Sequence, residues 1–451
     1  MKTALDEATT ALRSRAPWPA RIVVFVLLVQ ELYRISMTYP SLDNVLVVDA
    51  ARKLAHGFSP YESVRFLYPP SSLPFALALT PFTDHQLIRL FPWALAGLLL
   101  LGWWMALRMF EVPFFSWLGV LGIGVFSIFN PAVSVVELGN WAAAVVPLMS
   151  LALLLMSRER WLAAGLVIGL SIAIKPMLVP IGLIFLLARR WGGFAVAAGT
   201  PLAIAAAVLP FLPQPGLFFT KTVPFLLHGQ DGFARPYDSS LLAILPRIGI
   251  DGPVVTVIRG LVLLLTVAVA VLLWRRGGDQ RLRLVHTSTA LMVGTFLVST
   301  PTFGYYPMVL VPVLVASFVV PGSITRSVWY WIASIPQVLG VHFYRIDFLG
   351  PVPASPEQAY KPVVWIGVVG LLLLIKAWPR RATPASPYEI PRQRSADASG
   401  DFAQAVRRQR DGRGDDVTMA TALTASGLDP TAEGPDRGRG EHDQQDARPD
   451  Q

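Results

Sequence analysis

The chain contains no cysteine in its 451 residues, and only 15% of its residues are charged. The missing cysteine excludes disulfides, thiolate metal ligands and cysteine nucleophiles. Neither a Walker A loop nor a G-x-G-x-x-G fingerprint occurs in the sequence, and no cluster of His and Asp residues has metal-ligand spacing. These absences argue against an ATP-driven pump and a soluble nucleotide-sugar enzyme, and we expect neither a metal nor a cofactor.

Apolar residues dominate the chain instead. Hydrophobic residues make up 53% of it, and its mean hydropathy is +0.52, a composition that an ordinary soluble domain of this size does not show. The formal net charge of +9 comes from Lys and Arg in short clusters beside apolar runs, as the positive-inside rule describes, and does not indicate nucleic-acid binding. We therefore predict an all-α polytopic membrane protein with no nucleic-acid partner.

Apolar runs of roughly 20 residues mark the predicted membrane spans. The first is expected at 18–38; it resembles a signal-peptide core, but no small-residue cleavage site follows it, so we interpret it as an uncleaved helix. Further spans are predicted at 86–107, 113–130, 141–156, 161–175, 176–188, 193–211, 253–274, 284–300, 305–321, 327–342 and 361–377. The short runs 161–175 and 176–188 are either two spans or one broken hairpin. The expected fold is a bundle of about 10–12 transmembrane helices.

Lys and Arg residues beside the spans fall on one side in an alternating count. They are Arg108, Arg158, Arg160, Arg189, Arg190, Arg275, Arg276, Arg281, Arg283, Arg326, Lys376, Arg380 and Arg381. That side is predicted to be the cytoplasm, with both termini on it. The outer face then holds segment 39–72, the turn before residue 141, and the loops 212–251 and 342–361. After a transmembrane domain at 1–377, residues 378–451 are polar with almost no aromatics, so we predict a disordered cytoplasmic tail.

Two carboxylates, Asp43 and Asp49, lie just beyond the first predicted span. One could act as a general base, or both could be solvated acids on a loop helix. Asp43 is nearer to the span, where partial desolvation would raise its pKa toward the working range of a base. The two acids are six positions apart, so they need not share a helix face. We favour Asp43 as the catalytic residue and place Asp49 among the substrate-binding candidates.

Cations on the expected outer face could bind a lipid-linked phosphate. The candidates are Arg65, Lys175, Lys221 and Arg345. Contacts to headgroups or carboxylates would explain most of them equally well, but Lys175 interrupts the apolar run Gly169–Pro180, where a charge is costly. Tyr305 and Tyr306 open a late apolar span, where they either bound a sugar or isoprenoid pocket or belong to the interfacial aromatic belt. Asn140 either contacts a ligand or caps the helix after it.

Four segments match those of one known family in sequence and order. They are Phe66–Ser72 (FLYPPSS), Gly165–Pro180 (GLVIGLSIAIKPMLVP), Phe218–Phe233 (FFTKTVPFLLHGQDGF) and Phe303–Leu314 (FGYYPMVLVPVL). Together they resemble the polytopic GT-C glycosyltransferases of family 87. The chain is most similar to the actinobacterial branch that adds α-(1→3)-linked arabinofuranose to cell-wall arabinan. The similarity runs in pieces over residues 42–314 and more faintly to residue 377.

This resemblance implies a membrane enzyme on the outer face of the plasma membrane that uses a polyprenyl-phosphate sugar, here decaprenylphosphoryl arabinofuranose, and inverts the anomeric centre. The arabinosyl branch carries two adjacent aspartates in its first outer loop. When the loop is aligned through Gly57 and Tyr61, the second aspartate falls on Asp43, whereas the first falls on Leu42. That departure leaves Asp43 as the single base.

Our leading hypothesis assigns roles to other residues. Lys175 and Arg345 would hold the donor phosphate, and Tyr61, Tyr68 and Tyr305 would line the sugar site. The expected partners are the lipid-linked donor, a glycan acceptor and membrane lipids.

Two other functions remain open. One is a mannosyltransferase that uses polyprenyl-phosphate mannose; the segment Ser299–Met308 (STPTFGYYPM) is more similar to the arabinosyl pattern. The other is a transporter or flippase for lipid-linked saccharides, because a broken hairpin and a buried lysine also suit translocation.

Overall fold

The computed structural model describes residues 2–39, 41–229, 237–338 and 356–378. Contacts divide the chain into two units, Met1–Pro379 and Arg380–Gln451, and all described residues belong to the first. Regular structure in the described ranges is helical, and the β-type pairings found there are two isolated bridges, Arg15 with Ser116 and Phe129 with Val338. The prediction of an all-α protein is confirmed. The predicted tail lies outside the described residues from residue 379 onward.

The described residues form the following helices. The α-helices are α1 (Lys2–Arg13), α2 (Trp18–Thr38), α3 (Leu42–Ala55), α4 (Leu73–Leu77), α5 (Asp84–Met109), α6 (Trp117–Ile128), α7 (Asn130–Glu137), α8 (Ala142–Ser157), α9 (Trp161–Ile174), α10 (Gly182–Leu187), α11 (Trp191–Val208), α12 (Leu241–Arg247), α13 (Pro253–Arg275), α14 (Gln280–Val298), α15 (Val311–Ala316), α16 (Val328–Ser334) and α17 (Pro356–Ala377). Short 3₁₀ helices lie at Pro60–Glu62, Pro70–Ser72, Pro176–Ile181, Leu209–Phe211, Tyr306–Val309, Ser317–Val319, Ile324–Arg326 and Ile335–Gln337, and π-helices lie at Phe218–Thr222 and Phe225–Gly229.

Several helices are long and apolar enough to cross a membrane. In the described part of the chain these are Asp84–Met109, Trp191–Phe211, Pro253–Arg275 and Tyr360–Ala377, with a fifth if α2 and α3 are taken as one bent span. Other predicted spans contain shorter apolar helices, such as α6, α8 and α9. The polytopic membrane architecture is therefore confirmed, whereas the number of separate crossings stays a prediction.

The run on either side of Lys175 forms a hairpin of short helices. Helix α9 leads up to Lys175, and a 3₁₀ helix followed by α10 leads away from it. The rings of Trp161, at the start of α9, and Phe185, near the end of α10, are 6.0 Å apart. The chain therefore turns back at Lys175, and the choice between two short spans and one broken hairpin stays a prediction.

Small residues let neighbouring helices pack closely in this part of the bundle. Helix α9 lies along α11, and a Cβ added at Gly165 would lie only 2.3 Å from the carbonyl oxygen of Gly193. Close approach of this kind is how helices associate where lipid removes the hydrophobic driving force. The packing fixes the direction of α9, and with it the position of Lys175.

Polar contacts join the helix ends that carry the arginines. Glu159 accepts hydrogen bonds from Arg190 at 2.7 Å and from Gln280 at 2.5 Å. Helix α1 is held by Arg326, whose guanidinium donates to the Thr9 hydroxyl at 2.6 Å. We call the helix ends that carry Glu159, Arg190, Gln280 and Arg326 the arginine end. Helix α1 was not predicted from the sequence.

Candidate functional site

Asp43 lies in the first turn of α3, where the chain resumes a helix after α2. Its backbone N–H donates to the carbonyl oxygen of Leu138 at 2.9 Å, which joins α3 to the turn between α7 and α8. Its side chain is half-buried, and carboxylate Oδ2 accepts a hydrogen bond from Asn140 Nδ2 at 2.6 Å. A helix N-terminus also favours a negative charge. The fold therefore holds this carboxylate in one place.

Gly139 makes the close approach of α3 to the turn possible. Its φ of +65° lies in the left-handed region that favours glycine. A Cβ there would lie 2.8 Å from Ser41 Cβ and 3.1 Å from Asn44 Cβ, so the two segments would have to separate. Trp141 fixes the same junction, because its indole N–H donates to Asn44 Oδ1 at 3.0 Å.

Asn140 is the centre of a polar network and only 4% exposed. Its amide nitrogen donates to Asp43 Oδ2 at 2.6 Å and to the Tyr305 hydroxyl at 2.8 Å. Its amide oxygen accepts from Lys175 Nζ and from the backbone N–H of Ala142, the first residue of α8, both at 2.8 Å. Asn140 thus satisfies the start of α8, as the capping alternative expects, and it also links the acid to the lysine, whereas its contact with a ligand stays a prediction.

Lys175 reaches this network because α9 breaks in front of Pro176. Proline has no N–H to donate and forces the residue before it out of the helix, and Lys175 is extended, with φ −152° and ψ 121°. The break leaves the carbonyl oxygen of Ala173 without its helical donor, and the Ser71 hydroxyl donates to that oxygen at 3.0 Å. This hydrogen bond joins segment 68–72 to the C-terminal end of α9.

Three tyrosine rings surround the ammonium group of Lys175. Its Nζ lies 5.0 Å from the ring centroid of Tyr306, 5.8 Å from that of Tyr68 and 6.0 Å from that of Tyr305. Cation–π contacts over such faces stabilise a charge that has lost water. The Lys175 and Asp43 side chains are thus held on either side of the Asn140 amide.

Burial is the largest influence on the pKa of the Asp43 carboxyl and raises it above its ordinary value. Hydrogen bonds from Asn140 and Tyr305 and the positive charge of Lys175 act in the opposite direction and moderate the rise. A carboxylate whose pKa is raised holds a proton more strongly than a solvated one, so it is a better general base.

The other predicted site residues lie outside this network. Asp49 is exposed and pairs with Lys53 at 3.3 Å. Tyr61 is fully buried, and its hydroxyl supports Tyr68 by donating to that residue's carbonyl oxygen at 3.2 Å. Arg65 and Lys221 are both exposed, and the Lys221 ammonium donates to the carbonyl oxygen of Glu62. Arg345 lies outside the described residues.

A further buried carboxylate near the site was not predicted from the sequence. Asp238 is 3% exposed and accepts four hydrogen bonds, two of them from the segment that leads to Tyr305. Its signal was present, since an aspartate two positions before Ser240 and an apolar run has the pattern of an Asx turn at a helix start.

Replacing Gly139 by Ala is expected to displace Asp43. The added methyl group meets Ser41, so we expect kcat/KM of the reaction proposed below to fall roughly tenfold or more, since a misplacement of about 1 Å can cost 10²-fold. The matched control is Gly57→Ala, because Gly57 has a φ of +81° but nothing within 4 Å of an added Cβ. Equal losses in the two variants would attribute the effect to backbone strain and contradict the proposed close packing.

The network places a proton acceptor, the Asp43 carboxylate, and a group that can bind an anion, the Lys175 ammonium, on either side of the Asn140 amide. Asp43 and Lys175 each retain partial exposure, so both can meet a bound molecule. Aromatic faces next to them are suited to the apolar face of a sugar or to an isoprenoid chain. The arrangement supports transfer of a group away from a phosphate to a deprotonated hydroxyl.

Comparison with known proteins finds several similar relatives, all named alpha-(1->3)-arabinofuranosyltransferase. The relative from Mycobacterium tuberculosis is 33% identical over 192 residues, which is 42% of this chain and 41% of the relative. The relative from Mycolicibacterium smegmatis is 33% identical over 178 residues (39% and 40%), and that from Corynebacterium glutamicum is 31% identical over 180 residues (39% and 40%). The matched stretch thus spans about two fifths of the curated relatives.

No solved structure matches the chain significantly. The model of glycosyltransferase family 87 matches residues 66–300, which is just over half of the chain. The matched range contains Asn140, Lys175 and Asp238. The chain belongs to glycosyltransferase family 87.

Proposed function

We propose that this protein is a membrane glycosyltransferase that moves arabinofuranose from a polyprenyl-phosphate donor, decaprenylphosphoryl arabinofuranose, to a cell-wall arabinan acceptor. The observation that carries the proposal is the chain of contacts from Asp43 through Asn140 to Lys175. The family and the names of its relatives support arabinofuranose as the transferred sugar. A base and a phosphate-binding cation are the two groups that such a transfer needs.

The proposed reaction is a single displacement. Asp43 takes the proton of an acceptor hydroxyl, and the oxygen forms a bond to the anomeric carbon of the arabinofuranose. The bond from that carbon to the phosphate oxygen breaks on the opposite side, so the configuration inverts. The electron pair leaves with the polyprenyl phosphate, whose added negative charge Lys175 stabilises. Because the leaving group is already a weakly basic phosphate, no general acid is required.

The proposal also places the site relative to the membrane. The arginine end is assigned to the cytoplasm by the positive-inside rule, which puts Asp43 at the outer face of the plasma membrane and both termini inside. A lipid-linked donor fits this position, because its phosphate lies at the level of the headgroups while its chain stays in the bilayer. The tyrosines around Lys175 would then face the sugar.

A transfer assay with the purified full-length chain in detergent tests the proposal. We expect a synthetic arabinan oligosaccharide to gain one pentose from polyprenyl-phosphate arabinofuranose, with the anomeric configuration of the donor inverted in the product. An equal concentration of polyprenyl-phosphate mannose should not compete. Transfer of mannose instead would support the mannosyltransferase, and lipid movement in vesicles without any product would support a transporter.

A further inference from the structure

Asp238 binds two separate parts of the chain through one buried carboxylate. Its Oδ1 accepts from the backbone N–H groups of Ser240 and Thr302, both at 2.8 Å. Its Oδ2 accepts from the hydroxyls of Thr300 at 2.6 Å and Ser240 at 3.0 Å. The carboxylate therefore fixes the end of the loop that precedes α12 to the segment that follows α14.

The second of these segments carries the tyrosines of the site. Three residues after Thr302, the Tyr305 hydroxyl accepts from Asn140, and the ring of Tyr306 lies closest to Lys175. A backbone hydrogen bond joins the same two segments, because the Ser239 N–H donates to the carbonyl oxygen of Thr302 at 2.7 Å. A displacement of Thr302 would therefore move both rings away from the lysine.

We infer that Asp238 is a positioning residue that holds Tyr305 and Tyr306 around Lys175. It acts through its hydrogen bonds to Thr300 and Thr302 and touches no substrate. The two carboxylate oxygens of Asp238 accept four hydrogen bonds from the protein. The Asp43 carboxylate, in contrast, is only half-buried and can meet a bound molecule. Asp238 is thus a structural acceptor and not a second base. Its effect on transfer rests on the function proposed above, but its effect on the tyrosines does not.

Single cysteines can report the position of the segment, because the chain has none of its own. Thr302 is fully buried, so a Thr302→Cys variant should react slowly with a water-soluble maleimide. Adding Asp238→Ala should raise that labelling rate about tenfold, because loss of the hydrogen bonds to Asp238 lets the segment open locally. Asp238→Asn should raise it less, since the amide oxygen still accepts from the backbone N–H groups. The control is Asp251→Ala, at an exposed acid in the turn between α12 and α13.

Two comparisons distinguish positioning from general stability. A second reporter, Ala51→Cys in α3, is also fully buried and should keep its labelling rate when Asp238 is replaced. In the transfer assay, Asp238→Ala should raise the donor KM more than it lowers kcat. The same substitution should cost less than about threefold when Tyr306→Ala is already present, because two residues acting through one contact are not additive.

Unchanged labelling at position 302, or an equal rise at positions 302 and 51, would overturn the inference. So would an effect of Asp238→Ala on transfer that is the same with and without Tyr306. If the unmodified chain transfers no arabinofuranose while labelling changes as expected, the proposed function fails and the positioning of the tyrosines by Asp238 stands.

Discussion

Asp43→Asn is expected to lower kcat of arabinofuranose transfer by about 100- to 10,000-fold, the usual contribution of a general base. The amide keeps the shape of the carboxylate and still accepts the hydrogen bond from Asn140, so the variant should fold and bind the donor with nearly unchanged KM. The measurement is the rate of product formation per milligram of folded protein, with synthetic lipid-linked arabinofuranose and a saturating acceptor.

The matched control for this substitution is Glu62→Gln, which removes an exposed carboxylate from the same segment of the chain. It should leave kcat within about twofold, because an exposed acid is solvated in every step of the reaction. A smaller variant, Asp43→Gly, adds a positive test: formate in the buffer should restore part of the rate by acting as an external base. Asp43→Asn protein with near-normal transfer would refute the assignment of the base.

Lys175→Met is expected to lower kcat/KM for the lipid-linked donor roughly 100-fold. A hydrogen bond to a charged group contributes about 1.5–3 kcal/mol, and loss of the positive charge also leaves the departing phosphate unstabilised. Methionine fits an apolar neighbourhood, and the oxygen of Asn140 keeps its bond from Ala142, so folding should be preserved. Lys53→Met, at a partly exposed lysine in α3, is the control; equal losses in the two variants would contradict a specific role for Lys175.

The same substitution should change the pH dependence of transfer. Asp43 works as a base only when it is deprotonated, so the rate falls as the pH drops below the pKa of this carboxyl. The charge of Lys175 lowers that pKa, and its removal therefore raises it. The acid limb of the kcat/KM profile should move to higher pH in Lys175→Met. A limb that stays in place would show that the two groups do not interact.

Sequence patterns predicted which residues lie in this network better than how those residues contact one another. Lys175 was identifiable because a charge inside an apolar run demands a reason, and Asp43 because it follows a span. Their meeting at Asn140 was not predictable, because the hydrogen bonds join residues 35 and 97 positions apart in the chain. Such contacts depend on how helices pack, which the apolar periodicity of each helix leaves open.

The predicted spans differ from the helices of the structure for a similar reason. Proline breaks several apolar runs into short helices, as at Pro176, and the free carbonyl groups are satisfied by residues far away in sequence, as Ser71 does for Ala173. For Tyr61 the role at the sugar stays a prediction; the structure buries its side chain and joins its hydroxyl to the carbonyl oxygen of Tyr68. Hydropathy records that a residue is apolar and not which neighbour covers it.

The amide of Asn140 has a direction, with nitrogen toward the acid and oxygen toward the ammonium group. Deamidation, the slow hydrolysis by which asparagines age, would replace that nitrogen with an oxygen of nearly the same size. Two anionic oxygens would then face each other across a contact that is now 2.6 Å, and the ammonium group of Lys175 would be drawn toward the new acid. Because only 4% of Asn140 is exposed, water has little access to the amide, and this burial protects the direction of the network.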